Sequence, residues 1–388
     1  MIPNHAGSPD GATVRAPETK GLIALHGLAS ARDGATGYSG LARTGYARNP
    51  IAHRCVRLVA ESAAAVPLTL VEDGAEHDAH PLLDLLRRPN PRQPGASLLE
   101  AIYGHLLLAG DAFVERVDLD GVPRELHAIR PDRVEVGTDD RGWPESYTVR
   151  DARAARRLPA GEDGPVLHLA LFDPLDEARG HAPIEAAAAA LDVHNAASRW
   201  ARSLLENAAR PSGALVYAPK EGGNLTDEQF ERLKTELEGG YQGASNAGRP
   251  MLLEGGLDWK AMSLTPQEMD FVEARAAAAR DIALALGVPP MLLGLPGDNT
   301  YSNYAEANRA FARLTVLPLV RRTAAALSNW LGGAWGGDAR LAPDLDAMPG
   351  LAVEREALWS RVSKADFITR AEKRAAVGYP PDGGEPDR

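Results

Sequence analysis

The stretch between residues 264 and 331 constrains the fold more than any other part of this chain. It opens with a complete set of helix-start signals: Thr265 as N-cap, Pro266 in the first turn and Glu268 placed to reach back to the cap. An alanine-rich segment follows, and Gly287 comes where a left-handed C-cap is expected. The pattern therefore predicts a helix over residues 265–287.

The connection after this helix is apolar and stiffened by proline. Residues 288–296, VPPMLLGLP, contain three prolines, and each proline restricts one backbone φ angle. A polar tip follows at residues 297–303, and a second helix is expected from about Tyr304 to Leu331. Pro318 lies inside that helix, where it removes a backbone donor and presses on the carbonyl of residue 314, so a kink is predicted there.

A small mixed module is predicted between two long helices. The earlier helix, residues 183–207, is rich in alanine and ends before Pro211. The helix of the module begins with a capping box, Thr226 with Gln229, and has a strongly acidic sequence. The predicted elements of the module are strand 213–217, helix 226–238, and strands 250–253 and 257–262. The sequence therefore favours a β-α-β-β insertion over residues 210–264.

The first 182 residues are predicted to form an arm followed by a mixed α+β region. Residues 1–45 contain eight glycines and no sustained apolar period, as expected of a flexible arm. A Ser97–Glu100 capping box indicates a helix over 97–109. The other predicted elements are helix 50–65 and short strands at 66–71, 112–118, 125–129, 133–137, 146–149 and 166–171. This order favours antiparallel meanders, and near the C-terminus two more helices are predicted, at 351–363 and 369–377.

Composition and charge narrow the class of protein. Hydrophobic residues make up 44% of the 388 residues, which is enough for sizeable cores. The net charge of −11 argues against a protein that binds duplex DNA tightly. The same charge is consistent with a channel wall past which DNA slides, and equally with surface charge that only keeps the protein in solution. Cys55 shares an apolar helix face with Ile51 and Val59, so we expect a buried structural thiol. No apolar run is long enough to span a bilayer, and we expect a soluble, non-exported chain.

Catalytic motifs are missing from the sequence. It has no GxxxxGK[ST] phosphate loop, no GxSxG, no HExxH and no CxxC. His77 and His80 are too few for a metal site, so no metal and no cofactor are expected. The one enzymatic alternative is a hydrolase site near His168, Asp173 and Asp176. The competing interpretation is that His168 is a structural histidine of a sheet and that the two aspartates lie in a solvated turn beside it.

Several segments, in order, resemble the portal proteins of tailed bacteriophages, of the siphophage type found in prophages and gene transfer agents. The resemblance covers roughly residues 48–384 and departs at Ala182, where such portals usually carry serine before the proline, which affects only a helix cap. The matching segments are 107–115 (LLAGDAFVE), 129–134 (IRPDRV), 246–250 (NAGRP), 287–294 (GVPPMLLG), 300–303 (TYSN), 317–318 (LP) and 367–374 (FITRAEKR).

The resemblance implies a domain layout for the whole α+β chain. In portal terms, the chain is divided into a flexible arm at 1–45, a wing at 46–182, a first stem helix at 183–209, a clip at 210–264, a second stem helix at 265–287, a tunnel loop at 288–304, a kinked wing helix at 305–332, and a helical C-terminal crown region and tail at 333–388. It also implies a non-enzymatic ring of twelve subunits at one capsid vertex of a virion, assembled in the bacterial cytoplasm.

The resemblance further implies the partners of such a ring. These are double-stranded DNA passing through the lumen without sequence specificity, the terminase large subunit, a head-tail adaptor and the major capsid protein, with no membrane. A head-tail adaptor is a further alternative for the chain itself, but adaptors are usually much shorter and lack the inserted module.

Three groups of residues follow as candidate sites. The residues expected to face DNA in the tunnel loop are Asn299, Thr300, Tyr301, Ser302 and Asn303. The acidic residues expected on the exposed face of the clip helix, as a docking surface, are Asp227, Glu228, Glu231, Glu236 and Glu238. The residues expected in stem packing are Ala197, Trp200, Leu204, Phe271, Ala278 and Ile282, and the alanine-rich faces of both stem helices are predicted to contact neighbouring subunits.

Overall fold

Small antiparallel sheets packed against helices form the larger part of the structure, which is a computed structural model. It describes residues 37–151, 154–206, 213–217, 226, 228–229, 231–232, 235, 257–261, 266–295, 301–335 and 337–379. Helices and short strands alternate in the first half, and long helices dominate the second. The predicted α+β class is therefore confirmed.

The first described residues are helical and do not belong to a flexible arm. Helix α1 (Tyr38–Leu41) continues as π-helical turns at Ala42–Tyr46. The Tyr38 hydroxyl lies 3.1 Å from Nδ1 of His105, a contact with a residue distant in sequence that local composition does not reveal. Residues 38–45 of the predicted arm are therefore helical, and residues 1–36 lie outside the described part of the chain.

Helices α2 (Pro50–Ala64) and α4 (Gly95–Ala109) pack together in the main core, with α3 (Pro81–Arg87) beside them. Helix α4 begins two residues before the predicted start, and its N-cap, Pro94, makes no side-chain hydrogen bond. A Cβ on Gly95 would lie 2.0 Å from the carbonyl oxygen of Leu86. Close packing on α3 thus sets the start of α4, and the predicted Ser97 capping box was wrong.

The first sheet combines two strands from the early part of the chain with one strand from its late part. Strand β1 (Leu68–Glu72) pairs with β2 (Ala75–His77) and, on its other edge, with β11 (Arg340–Pro343). All pairings are antiparallel, with Leu70 opposite Leu341. The region 333–388, predicted to be helical, therefore also supplies a strand, because pairing with β1 stabilises a short segment that has no strand pattern of its own.

Two more three-stranded sheets share a small core of their own. Their strands are β3 (Asp111–Leu119), β4 (Val122–Ile129), β5 (Val134–Thr138), β6 (Pro144–Arg150), β7 (Ala155–Pro159) and β8 (Val166–Ala170). The strand orders of the two sheets are β4-β3-β8 and β5-β6-β7. Strand β7 has an arginine-rich sequence that gave no strand signal, and its pairing with β6 holds it in place. The other strands lie within a few residues of their predicted positions.

Two long helices, α6 (Ala188–Glu206) and α7 (Pro266–Ala285), pack side by side. The helix predicted from residue 183 is split, because Ala187 leaves helical geometry (φ −91°, ψ 5°) between α5 (Pro183–Ala186) and α6. Ala182 precedes α5 as an N-cap without a side-chain hydrogen bond, as its substitution for serine predicted. Between α6 and α7, strands β9 (Gly213–Tyr217) and β10 (Leu257–Ala261) pair antiparallel, as expected of the inserted module.

The last long helical run has three parts. Helix α8 (Tyr301–Phe311) leads into a π-helical turn at Ala312–Val316, and α9 (Leu317–Leu331) completes the run. Pro318 lies in the first turn of α9, directly after the π-helical turn. In a π-helix the backbone bonds to the residue five positions back, so a residue that cannot donate is accommodated there. The backbone irregularity thus coincides with Pro318, and the kink itself remains a prediction.

The C-terminal helices are held to the sheet by one carboxylate. Helices α10 (Ala352–Ser363) and α11 (Arg370–Val377) form a hairpin. The Asp346 carboxylate accepts hydrogen bonds from Arg355 Nε (2.5 Å), Trp359 Nε1 (3.1 Å) and the Tyr379 hydroxyl (3.1 Å). Arg355 also donates to the carbonyl of Val377 (2.7 Å). These bonds tie both helices to the segment that follows β11.

We expect Asp346→Asn to loosen the C-terminal hairpin. The hydrogen bonds from Arg355, and then those from Trp359 and Tyr379, lower the pKa of Asp346 to about 2, against the effect of burial. A lowered pKa stabilises the folded state above the ordinary carboxyl pKa, and this contribution is lost as pH falls towards 2. We expect the variant to lose roughly 1–2 kcal/mol at pH 7 in urea unfolding. Equal pH dependence of wild type and variant between pH 4 and pH 2.5 would contradict this role.

Candidate functional site

A rigid corner connects α7 to the loop predicted to face DNA. Gly287 ends α7 with φ +65°, and its carbonyl accepts a hydrogen bond from the Thr315 hydroxyl at 2.6 Å. The Val288 N–H donates to the Ala283 carbonyl at 2.8 Å. A Cβ on Gly287 would lie 2.8 Å from Thr315 Oγ1. The predicted left-handed cap is confirmed, and the loop leaves α7 in a direction set by the π-helical turn.

Past this corner the described part of the loop forms a single turn. Pro290–Leu293 form a 3₁₀ turn closed by Gly294 at φ +71°. Helix α8 then begins at Tyr301, three residues earlier than predicted. Threonine, the residue type at position 300, is preferred at helix N-caps, and the expectation of a polar loop tip overlooked this signal. Tyr301, Ser302 and Asn303 therefore belong to the first turn of α8, while Asn299 and Thr300 lie outside the described residues.

An apolar groove lies at the same corner. It has a volume of about 550 Å³ and runs between the end of α7, the turn at Pro289 and Pro290, and the junction of α8 with the π-helical turn. Leu284 and Leu314, two large apolar side chains on it, are 78% and 65% exposed. We call this feature the corner groove. Apolar exposure on this scale in one place is typical of a surface that another protein covers.

The residues predicted to pack the two long helices differ in how far they are buried. Ala197, Ala278 and Ile282 are buried in the protomer. Trp200 stacks on Phe271 with ring centroids 5.0 Å apart, although Phe271 remains 45% exposed. Leu204 lies in α6, but its side chain is outside the described part of the structure.

Alanines of α7 lie on both its buried and its exposed sides. Ala278 is only 4% exposed, so it packs inside the subunit, whereas Ala274, Ala276 and Ala277 are exposed. The predicted contact between subunits is therefore contradicted at Ala278 and remains a prediction for the exposed alanines. The reason is that helical periodicity identifies an apolar stripe without identifying which partner covers it.

The predicted acidic surface is only partly described. The capping box is confirmed, since Thr226 N–H donates to the Gln229 side chain at 3.0 Å and Gln229 N–H donates to Thr226 Oγ1 at 3.3 Å. Glu228 and Glu231 are exposed, as predicted. Asp227, Glu236 and Glu238 lie outside the described residues. The docking role of this helix therefore remains a prediction.

His168 has a different partner from the one that the hydrolase alternative required. Its Nε2 lies 2.8 Å from Asp111 Oδ1, and its ring stacks on Phe113 with centroids 4.3 Å apart. Asp111 also accepts hydrogen bonds from the Gly180 N–H (2.8 Å) and from Arg179 (3.3 Å). Both members of the pair are buried. The arrangement joins β3, β8 and the chain before α5, and it gives the cluster a structural role.

Asp173 and Asp176 do not complete a catalytic group with His168. Each carboxylate accepts a hydrogen bond from a backbone N–H two residues further on, of Leu175 and Ala178, both at 2.8 Å. These are local turn-forming bonds. The three residues of the hydrolase alternative are thus used separately in the structure.

The remaining candidates for chemistry are structural as well. His80 caps α3 by accepting a hydrogen bond from the Leu82 N–H, and no group of three potential metal ligands occurs among the described residues. Cys55 is buried, as predicted, and burial raises the pKa of its thiol to about 12. Across the described helices, none is long and apolar enough to cross a bilayer.

Sequence reasoning missed three residues that join separate elements, namely Thr315, Asp111 and Asp346. Thr315 and Asp111 bond to residues 28 and 57 positions away, and Asp346 bonds to residues between 9 and 33 positions away. Only Asp111 had a local signal, because it follows Gly110, whose φ of +75° turns the chain from α4 into β3. Contacts between distant segments leave no periodic pattern in a sequence.

Long paired helices, an inserted small sheet and a stiff apolar corner between two helices together define a portal-type fold. The chain belongs to the phage portal protein family, whose model matches residues 50–378.

Similar proteins extend over most of the chain. A chain from the neck of an empty gene transfer agent (GTA) particle is 53% identical, covers 89% of this chain and 94% of its own, and superposes with a TM-score of 0.74. A chain from the neck of a native GTA particle computed with C12 symmetry is 54% identical, with coverages of 88% and 93% and a TM-score of 0.70. An uncharacterized protein of Rickettsia bellii is 40% identical over 340 residues, 86% of this chain and 88% of that protein.

Proposed function

We propose that this chain forms a twelve-membered ring at the neck of a phage-like particle and that DNA passes through its centre. The observation that carries the proposal is the corner groove, where the apolar side chains of Leu284 and Leu314 are exposed on the protomer. A cyclic ring needs a surface that each subunit buries against the next. The 54% identical chain from a particle neck computed with C12 symmetry supports twelve copies.

Electron microscopy of the purified protein tests the ring. End-on views should show closed particles with twelvefold rotational symmetry and a central channel. Protein that remains monomeric at micromolar concentration, with a folded circular dichroism spectrum, would contradict the proposal.

The loop between α7 and α8, with the first turn of α8, is proposed to face the DNA. Its two ends are held rigidly, by the Gly287–Thr315 hydrogen bond on one side and by α8 on the other. Hydroxyl and amide side chains at residues 299–303 can touch phosphates without holding them strongly. A weakly polar lining suits a channel through which a polyanion moves.

We expect Ser302→Lys to stall DNA movement more severely than replacement of residues 300–303 by alanine. Each subunit would add one cation, and weak phosphate contacts summed around a ring would hold DNA in a salt-dependent way. DNA packaging and release by particles, measured at low and high salt, check this, with partial relief expected at high salt. Thr138→Lys, which adds the same charge at an exposed strand end, should behave like wild type. Equal packaging by all forms would place the loop away from the DNA.

The remaining partners are proposed from the same family membership. The acidic helix that starts at Thr226, with Glu228 and Glu231 exposed, is proposed to dock the terminase large subunit during packaging and a head-tail adaptor afterwards. The major capsid protein would surround the ring at the capsid vertex. Particle assembly in the bacterial cytoplasm completes the proposal.

A further inference from the structure

A cavity of about 460 Å³ lies between α10 and α11, away from the corner groove. Three basic side chains line it: Arg370, Lys373 and Arg374. Apolar and aromatic side chains, among them Trp359 and Tyr379, form the rest of its wall. None of the described residues lining it is acidic. A site of this composition suits a ligand that is both anionic and partly apolar.

The wall of the cavity is held in place by contacts on its outer side. Trp359 and Tyr379 meet edge to face with centroids 5.8 Å apart, and both donate to the Asp346 carboxylate at 3.1 Å. Lys373 Nζ lies 3.4 Å from the carbonyl of Ser363, at the end of α10. A cavity whose wall is already ordered loses little side-chain entropy when a ligand binds.

The lining of the cavity carries three basic side chains, although the whole chain has a net charge of −11. The acidic groups that face the lining residue Tyr379 are Asp346, Asp344 and Glu76, and the Asp346 carboxylate is already hydrogen-bonded to Arg355. A local positive region on an acidic protein attracts an anionic partner in preference to the rest of the surface.

The size of the cavity decides whether its anionic ligand is a nucleic acid or an acidic protein segment. A DNA duplex, roughly 20 Å across, cannot enter a cavity of this volume and would touch only its rim. One leucine or phenylalanine side chain with its neighbouring backbone fits inside it. Phe367, in the turn between the two helices, is 86% exposed and adds apolar surface at the hairpin. We propose that this cavity binds an acidic peptide segment of a protein partner, anchored by one large apolar side chain.

The probe is a fluorescein-labelled peptide of sequence Asp-Glu-Leu-Phe-Glu-Asp, titrated with the full chain and followed by anisotropy. We expect saturable binding. The triple variant Arg370→Gln, Lys373→Gln, Arg374→Gln should weaken binding at least about tenfold. Val362→Trp, which keeps every charge but fills the cavity from a lining position, should weaken it similarly. The matched control, Arg88→Gln, Arg92→Gln, Arg124→Gln, removes three exposed arginines elsewhere and should leave binding unchanged.

Further probes separate the anchor from the charge. A peptide with alanine in place of Leu-Phe should bind at least about tenfold more weakly, because the buried apolar area is lost. The same peptide with lysine in place of its acidic residues should not bind. If a duplex of twenty base pairs binds more tightly than the peptide, and Val362→Trp does not affect it, the site is a nucleic-acid contact and the proposal is wrong. If the folded wild-type protein does not bind the peptide, the proposal is also wrong, whether or not the protein forms rings.

Discussion

Replacing Leu284 and Leu314 together by glutamate should abolish ring formation and leave a folded monomer. Both side chains lie on the corner groove and are mostly exposed in the protomer, at 78% and 65%. Charged substitutions at exposed positions usually change stability by less than about 0.5 kcal/mol. In a ring, however, each subunit would bury two carboxylates without partners, at a cost of several kcal/mol per contact. Light scattering coupled to gel filtration would show the loss of the large species.

Two control variants make this result specific. Leu119→Glu adds the same charge at a leucine that is 61% exposed, at the end of β3, and rings should persist. Ala278→Glu buries a carboxylate inside the protomer, where the alanine is 4% exposed, and should destabilise the monomer itself. Rings of normal mass in the Leu284 and Leu314 double variant would show that the corner groove is not the contact between subunits.

Gly180→Ala should destabilise the protomer by about 3 kcal/mol or more, which is the scale of a severe clash in a packed region. A Cβ on Gly180 would lie 2.1 Å from the Gly110 carbonyl oxygen and 2.6 Å from the Leu171 backbone nitrogen. That carbonyl accepts a hydrogen bond from Leu171 N–H at 2.8 Å. The neighbouring Gly180 N–H donates to Asp111. Relief of the clash would therefore disturb the buried Asp111–His168 pair as well.

Gly104→Ala is the matched control. Gly104 lies inside α4, and a Cβ there would meet nothing within 4 Å. Alanine in a helix interior is favoured over glycine by roughly 0.5–1 kcal/mol, so this variant should be slightly more stable than wild type. Urea unfolding followed by circular dichroism measures both changes. A Gly180→Ala variant as stable as Gly104→Ala would show that the backbone moves apart easily at this point.

Most helices and strands were predicted because their signals are local. Asn49 before Pro50, Gly287 after α7 and the Thr226–Gln229 pair each act within one turn of the chain. A cap or an alternating pattern stabilises the same local geometry wherever the segment lies. The predicted boundaries failed where a distant segment intervened. Examples are the start of α4 against Leu86 and the pairing of β11 with β1.

The candidate sites, too, were predictable where their signals are local and unpredictable where tertiary packing decides. The apolar loop after α7 and its order in the chain were evident from the sequence, and so was the family that this order resembles. Which side of α7 is internal was not evident, because a helical stripe of alanine suits a neighbouring helix of the same subunit as well as one of another subunit. Burial of Ala278 and exposure of Leu284 answer that question for the protomer.

The sequence by itself therefore determined the α+β class, strands β9 and β10 of the predicted module and the left-handed cap after α7, because proline, glycine and capping residues act on their immediate neighbours. Only the tertiary structure brought His168 to Asp111, Thr315 to Gly287, and the C-terminal helices to Asp346. These contacts join residues far apart in the chain. They are stabilised by burial and hydrogen bonds that exist only after the chain has folded, so no local sequence pattern predicts them.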